Sequence, residues 1–158
     1  MTVIVVSGSV AVGKEKLAKY LAKKLKYFRL DLSKYYKDIS VGYNSIKKCY
    51  DVDLRKFEKL IKEKVKENDK IIVDSHIAHL LPKKMVDLCI ILTCSNLKKL
   101  QKNLERKKYS KKKVRENLDT EIFQVCLVEA RKRNHNLLVF DEKISNNKIL
   151  SIVKAKLE

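Results

Sequence analysis

Residues 3–21, VIVVSGSVAVGKEKLAKYL, constrain the fold more than any other stretch of the chain. A short β-branched run, Val3 to Val6, leads into a loop of small residues from Gly8 to Gly13. Lys14 then opens an amphipathic helix. Strand, tight loop and helix in this order make a phosphate-binding P-loop. The amides of Gly8, Ser9, Val10, Ala11, Val12 and Gly13 can turn inward around phosphate oxygens, Lys14 can reach the outer phosphates, and the helix N-terminus adds a favourable dipole. The pattern GxxxxGK[ST] ends here in Glu15, where a hydroxyl normally meets Mg²⁺. The loop therefore speaks for nucleotide binding more strongly than for efficient phosphoryl transfer.

The rest of the chain alternates short apolar runs with helical stripes. Strands are expected at Val3–Val6, Tyr27–Leu30, Ile71–Val73, Leu88–Leu92 and Leu137–Phe140. Leu54, Phe57, Leu60, Ile61 and Val65 stripe a helix ending near Lys66. Ser95 is a candidate N-cap for a helix reaching Lys107. Val114, Leu118, Ile122, Val125 and Cys126 stripe one long helix ending near Arg133. Ser145 can cap a last helix with Ile149, Ile152 and Val153 inward. Strands alternating with helices predict an α/β fold, a parallel sheet covered on both faces, with ligands at the carboxyl ends of its strands. Lys14 and Asp74 both fall there.

At 158 residues and 45% hydrophobic composition the chain suits a single domain, 1–158, with a core that needs no staples. No apolar run is long enough to span a bilayer, and a cytoplasmic protein without membrane association is the expectation. Cys49, Cys89, Cys94 and Cys126 form no CxxC pair and read as buried free thiols. Net charge is +18, which attracts polyanions, although many lysines, such as Lys19, Lys23 and Lys24, fall on solvated helix backs.

Asp74 follows Ile71–Val73 directly, the place of a Walker B carboxylate that holds Mg²⁺ through water. A plain strand-end aspartate is the alternative. His76, two residues on, can polarise a water or contact a phosphate.

The segment IIVDSHIAHLLP, residues 71–82, resembles the Asp-x-His Walker B segment of the small adenylate kinases tied to ribosome assembly, the isoenzyme six family of eukaryotes and its archaeal relatives. KKYSKKKVRENLDTEIFQVCLVEA, residues 107–130, resembles that family's lid and following helix. DLSK at 31–34, Gly42, Tyr43 and Asp53 fit its monophosphate region more loosely. The resemblance covers nearly the whole chain. It implies a three-layer P-loop NTP hydrolase fold of the nucleoside-monophosphate kinase type, with a five-stranded parallel sheet, a monophosphate-binding insert at about 31–67 and a short lid at about 104–113. It implies ATP and AMP as substrates, Mg²⁺ as the metal, and a role in small-subunit ribosome maturation through an ATPase activity and a ribosomal-protein partner.

Carried over residue by residue, the resemblance makes Lys14, Asp74, His76, Arg106 and Lys107 catalytic. It adds positions Glu15, Lys16 and Lys34 to the P-loop residues as nucleotide ligands, with Asp74 at the metal and Glu15 as a second candidate there. The chain departs from the family at several of these positions. Glu15 and Lys16 stand where the family has Thr, Ala11 where it has Gly, and Lys34 and Lys107 where it has Arg. Lysine keeps the charge and loses the bidentate fork. Glu15 can bind Mg²⁺, repel the phosphates, or turn aside to pair with Lys16 or Lys19. Three functions compete: an adenylate kinase, a weakly active ATP-binding assembly factor that uses nucleotide as a switch, and an RNA-binding module that has lost nucleotide chemistry. The intact Gly8, Gly13 and Lys14 argue against the last. The +18 charge also makes ribosomal RNA a candidate partner. A basic ribosomal protein would need an acidic patch such as Asp51 and Asp53, or Glu116, Asp119 and Glu121.

Overall fold

In the structure, a computed structural model, residues 1–45 and 49–158 are described, with Cys49 and Tyr50 as backbone only. Five parallel strands form the central sheet: β1 (Thr2–Ser7), β2 (Phe28–Asp31), β5 (Lys70–Asp74), β6 (Leu88–Thr93) and β7 (Leu137–Asp141). Their spatial order is β2-β5-β1-β6-β7. Each lies within one residue of its expected bounds. A two-stranded antiparallel hairpin, β3 (Ser40–Asn44) and β4 (Cys49–Val52), stands apart from the sheet. It was invisible as strand pattern because the outer residues of β3 are exposed and carry no alternation toward a core.

Side-chain alternation divides the sheet into two apolar faces. Ile4, Val6, Ile72, Leu88, Ile90 and Leu92 pack on one side against α1 (Lys14–Leu25), α4 (Leu97–Arg106), α5 (Lys111–Ile122) and α7 (Asn146–Leu157). Val3, Val5, Ile71, Val73, Cys89 and Ile91 pack on the other against α2 (Tyr36–Ile39), α3 (Leu54–Glu67) and α6 (Val125–Lys132). This is the three-layer α/β P-loop kinase architecture. Cys89, Cys94 and Cys126 are buried free thiols. Burial pushes Cys89 up to about 12 and Cys126 up to about 11, so neither is a reactive thiolate. The side chain of Cys49 lies outside the described residues. Among the described residues no helix is long and apolar enough to cross a membrane.

Three helix expectations need correction. The single long helix over 114–133 is two helices, because Gln124 takes a left-handed backbone with φ 51°. The break has a packing cause. Val114 and Leu118 of α5 belong to one face of the sheet and Ala130 of α6 to the other, so the chain must turn around the sheet's end. Ile122 and Val125, expected inward, flank the turn and are exposed, as is Ile152 on α7. Asn96, not Ser95, caps α4: its side chain accepts from the Lys99 amide at 3.1 Å. The Ser95 amide donates instead to Asp141 Oδ1 at 2.8 Å.

Candidate functional site

The loop from Gly8 to Gly13 joins β1, the central strand, to α1 at the carboxyl end of the sheet. Gly8 has φ 148°, and a Cβ there would stand 2.4 Å from the Leu92 carbonyl oxygen, so no other residue fits. Ala11 holds φ 70°, a left-handed conformation that a side chain resists. Gly13, at φ 103°, is the N-cap of α1 and supplies no side chain to its amides. The helix therefore presents its first-turn N–H groups unsatisfied by any cap. Lys14 Nζ donates to the Ser9 carbonyl oxygen at 2.6 Å. Burial pushes the Lys14 amine down to about 8, against the opposing pull of Asp74 and Glu121.

Glu121 ties the loop to the sheet. It is 3% exposed, and its Oε2 accepts from the Cys94 amide at 2.9 Å. Its Oε1 accepts from Ser9 Oγ at 3.4 Å and from Gln124 Nε2 at 3.1 Å. Such burial removes Glu121 from any acidic docking patch, where its charge pattern in sequence had placed it. Asp119 is in turn paired with Arg115 at 3.0 Å.

At the other side of Lys14 the alternation of β2 and β5 places Arg29, Asp31 and Asp74 on the α1 face. Arg29 Nε donates to Asp74 Oδ1 at 2.7 Å and Nη2 to Oδ2 at 3.0 Å, a bidentate fork. Nη2 also lies 4.0 Å from carboxylate oxygens of Glu15 and Asp31. Burial lifts the Asp74 carboxyl above its usual value while Arg29 draws it back. For Arg29, desolvation works against the charge and the Asp74 contact outweighs it, raising its pKa. The Arg29 guanidinium keeps its charge at neutral pH, since it does not deprotonate in proteins. Glu15 Oε1 pairs with Lys19 at 2.9 Å, one of the arrangements its sequence position left open.

The two positions expected at a metal, Asp74 and Glu15, thus do meet around one cation, and that cation is Arg29. Among the described residues no three His, Cys, Asp or Glu side chains converge to hold a metal ion. With both Asp74 oxygens on the guanidinium and no hydroxyl at position 15, this donor set does not fit the usual P-loop Mg²⁺.

Beyond Asp74, Ser75 Oγ and Tyr36 Oη share a hydrogen bond at 2.8 Å. The His76 ring meets Tyr36 edge-on, centroids 6.3 Å apart. His76 keeps exposed surface in the cleft, yet surrounding protein, then the Lys14 charge, push its pKa down, so it is neutral at pH 7. The second histidine of the segment, His79, is buried under the loop. Its Nδ1 lies 2.6 Å from Ser7 Oγ and its Nε2 3.0 Å from Glu129 Oε1. One neutral tautomer satisfies both contacts: Nε2–H donates to Glu129 and Nδ1 accepts from Ser7.

Lys14, Glu15, Arg29, Asp74, His76, Arg106 and Lys107 line one cleft of about 520 Å³, together with Ser33 and Tyr36. Lys34 is exposed on the 3₁₀ turn Leu32–Tyr35 and is not among the residues lining it. Ser9 is buried beneath the loop, where it serves Glu121. A second pocket, about 240 Å³, lies behind the loop between Gly13, Lys16, Leu17, Cys94, Asn103 and Ile149. Ala11, Gly13 and Asn103 border both. Arg29, Tyr36 and Glu121 were not legible as site residues. The one signal available was position: Arg29 stands two residues before Asp31 on the same strand face, opposite the end of β5.

A family model described as an AAA domain matches residues 4–124. The adenylate kinase isoenzyme 6 homolog of Schizosaccharomyces pombe is 31% identical over 89% of this chain and 77% of its own length. The chain belongs to the adenylate kinase isoenzyme 6 family. The Saccharomyces cerevisiae member, adenylate kinase isoenzyme 6 homolog FAP7, is 31% identical over 80% of this chain and 65% of its own. Among solved structures, deoxyadenosine kinase of M. mycoides with bound dATP superposes with a TM-score of 0.60 at 18% identity, covering 99% of both chains. That likeness is one of fold, and the isoenzyme 6 relatives are kinases by name.

Proposed function

We propose that this protein transfers the γ-phosphoryl group of ATP to AMP. Two pockets that share the P-loop support the reading, because one loop can then present a triphosphate held on one side to an acceptor held on the other. The pocket between Lys16, Leu17, Cys94 and Asn103 suits the ATP base and ribose. The larger cleft, with Ser33 and Tyr36 on its far wall, suits AMP. Its wall belongs to the segment 31–67, which we assign to monophosphate binding, with 104–113 as the lid.

In the transfer step an oxygen of the AMP phosphate attacks the γ-phosphorus, the bond to the β-bridging oxygen breaks, and two ADP molecules result. The acceptor is already an anion, so no general base is required, and catalysis is positioning plus charge neutralisation. Lys14 and the loop amides hold the β and γ phosphates. Arg106 and Lys107 neutralise the transferred group. His76, neutral and beside Tyr36, orients the acceptor or a water.

A coupled assay with ATP and each of AMP, CMP, GMP and UMP tests the proposal. Production of ADP that depends on AMP is the expected result. ATP hydrolysis indifferent to every monophosphate would favour the second reading, an ATP-binding ribosome-assembly factor that uses nucleotide as a switch. Glu15 paired with Lys19, in place of a P-loop hydroxyl, is the feature that favours this alternative.

We further place the protein in the cytoplasm, where buried free thiols persist, and beside the small ribosomal subunit, in line with the resemblance of residues 71–82 and 107–130 to the adenylate kinases tied to ribosome assembly. The +18 charge suits RNA contact. A basic ribosomal protein would dock against Asp51 or Glu116, both of which are exposed.

A further inference from the structure

We propose that Arg29 is a built-in cation that takes the place of Mg²⁺ at the ATP site, so that this chain binds ATP as the metal-free polyanion. The inference rests on the reading of the P-loop as an ATP site.

Arg29 sits where the fold brings the P-loop helix and the Walker B strand together. It is anchored by both oxygens of Asp74 at 2.7 and 3.0 Å, its side chain is 15% exposed, and it lines the same cleft as Lys14. A guanidinium carries five N–H donors, and the Asp74 fork uses Nε and Nη2, leaving Nη1 to other partners. The geometry removes the Walker B carboxylate from metal duty and puts a permanent charge in its place.

The unusual residue at position 15 follows from the same arrangement. Beside a magnesium ion a hydroxyl serves as a ligand, and a carboxylate there would add repulsion toward the phosphates. Beside Arg29, 4.0 Å away, a carboxylate adds to the field that holds the guanidinium, while Lys19 balances it at 2.9 Å. Glu15 and Arg29 therefore account for each other. The cleft lining carries four cations, Lys14, Arg29, Arg106 and Lys107, against three carboxylates, Glu15, Asp31 and Asp74. Its net sign already favours a polyphosphate with no metal added.

Calorimetry with wild-type protein decides the question: the Kd for ATP is measured in excess EDTA and again with saturating Mg²⁺. Metal-free ATP should bind at least as tightly as the magnesium complex. Arg29→Gln, checked for folding by thermal melt, should weaken metal-free binding by about tenfold or more, the loss expected for a charge-assisted contact, and added Mg²⁺ should restore part of it. Should Arg29→Gln fail to fold, Arg29→Lys keeps the charge and should keep metal-free binding. Wild-type affinity that rises about tenfold with Mg²⁺, or an Arg29→Gln variant unchanged in EDTA, overturns the inference while leaving the ATP site standing. Absence of ATP binding under either condition overturns the P-loop reading itself, and this inference with it.

Discussion

Ser9 and Glu121, 112 residues apart, are joined by a hydrogen bond of 3.4 Å from the serine hydroxyl to a carboxylate that is almost wholly buried. The other oxygen of that carboxylate accepts from the Cys94 amide at 2.9 Å, so one side chain fixes the P-loop to the end of β6. Glu121→Ala leaves a buried amide and a hydroxyl unpaired and should cost about 1–3 kcal/mol of stability. Glu121→Gln keeps an acceptor oxygen in place and should cost less. Burial also raises the Glu121 pKa, so its charge carries a desolvation cost that the neutral amide avoids. Chemical denaturation of both variants checks the order; equal losses would make the charge, not the acceptor, the binding element.

Lys14 should give ATP affinity an alkaline limit. The amine must be protonated to hold phosphate, and burial brings its pKa down to about 8. Affinity should hold near pH 7 and weaken by up to about tenfold per pH unit above that value, until the bound phosphates' own stabilisation of the charge is exhausted. Calorimetric Kd values from about pH 7 to about pH 9.5 test this. A flat profile would mean that Lys14 does not bear on the phosphates.

Two loop positions with positive φ should respond oppositely. Gly8→Ala forces a Cβ to within 2.4 Å of the Leu92 carbonyl oxygen and should destabilise the fold by several kcal/mol, roughly the upper end for strained backbone. Ala11→Gly relieves φ 70° and should be neutral or stabilising by up to about 1 kcal/mol. Thermal melts of the two variants read both effects, and a stable Gly8→Ala would contradict the close approach.

Small-subunit ribosomal RNA should bind with a steep salt dependence and little sequence preference. Each neutralised phosphate releases counterions, so the logarithm of the affinity falls linearly with that of salt. Titrations at several salt concentrations give the slope. No binding at low salt would leave the +18 charge as solvated helix faces.

Much of the fold follows from local pattern. The β-branched run Val3–Val6 and the continuous apolar run Leu88–Leu92 read as strands buried on both faces, and GSVAVGK between a strand and a helix has the pattern of a phosphate loop. These features depend on neighbours in the chain, so a linear reading finds them. The nearness of Glu15 and Asp74 was also legible, because Glu15 lies in the first turn of the helix that follows β1 and Asp74 ends β5, both at the carboxyl edge of the sheet. What stands between them was not. Arg29 reaches Asp74 through the pairing of β2 with β5, in which Asp31 registers with Asp74, and only that pairing makes a strand arginine the partner of the Walker B carboxylate. The broken helix at Gln124 has the same origin: its stripe is continuous in sequence, but α5 and α6 cover opposite faces of the sheet. The sequence by itself determined which segments form the strands of the central sheet, which loop carries the phosphate-binding pattern, and where a cation is expected. The tertiary structure alone decided which cation stands there, because that depends on strand order and register, which no local periodicity encodes.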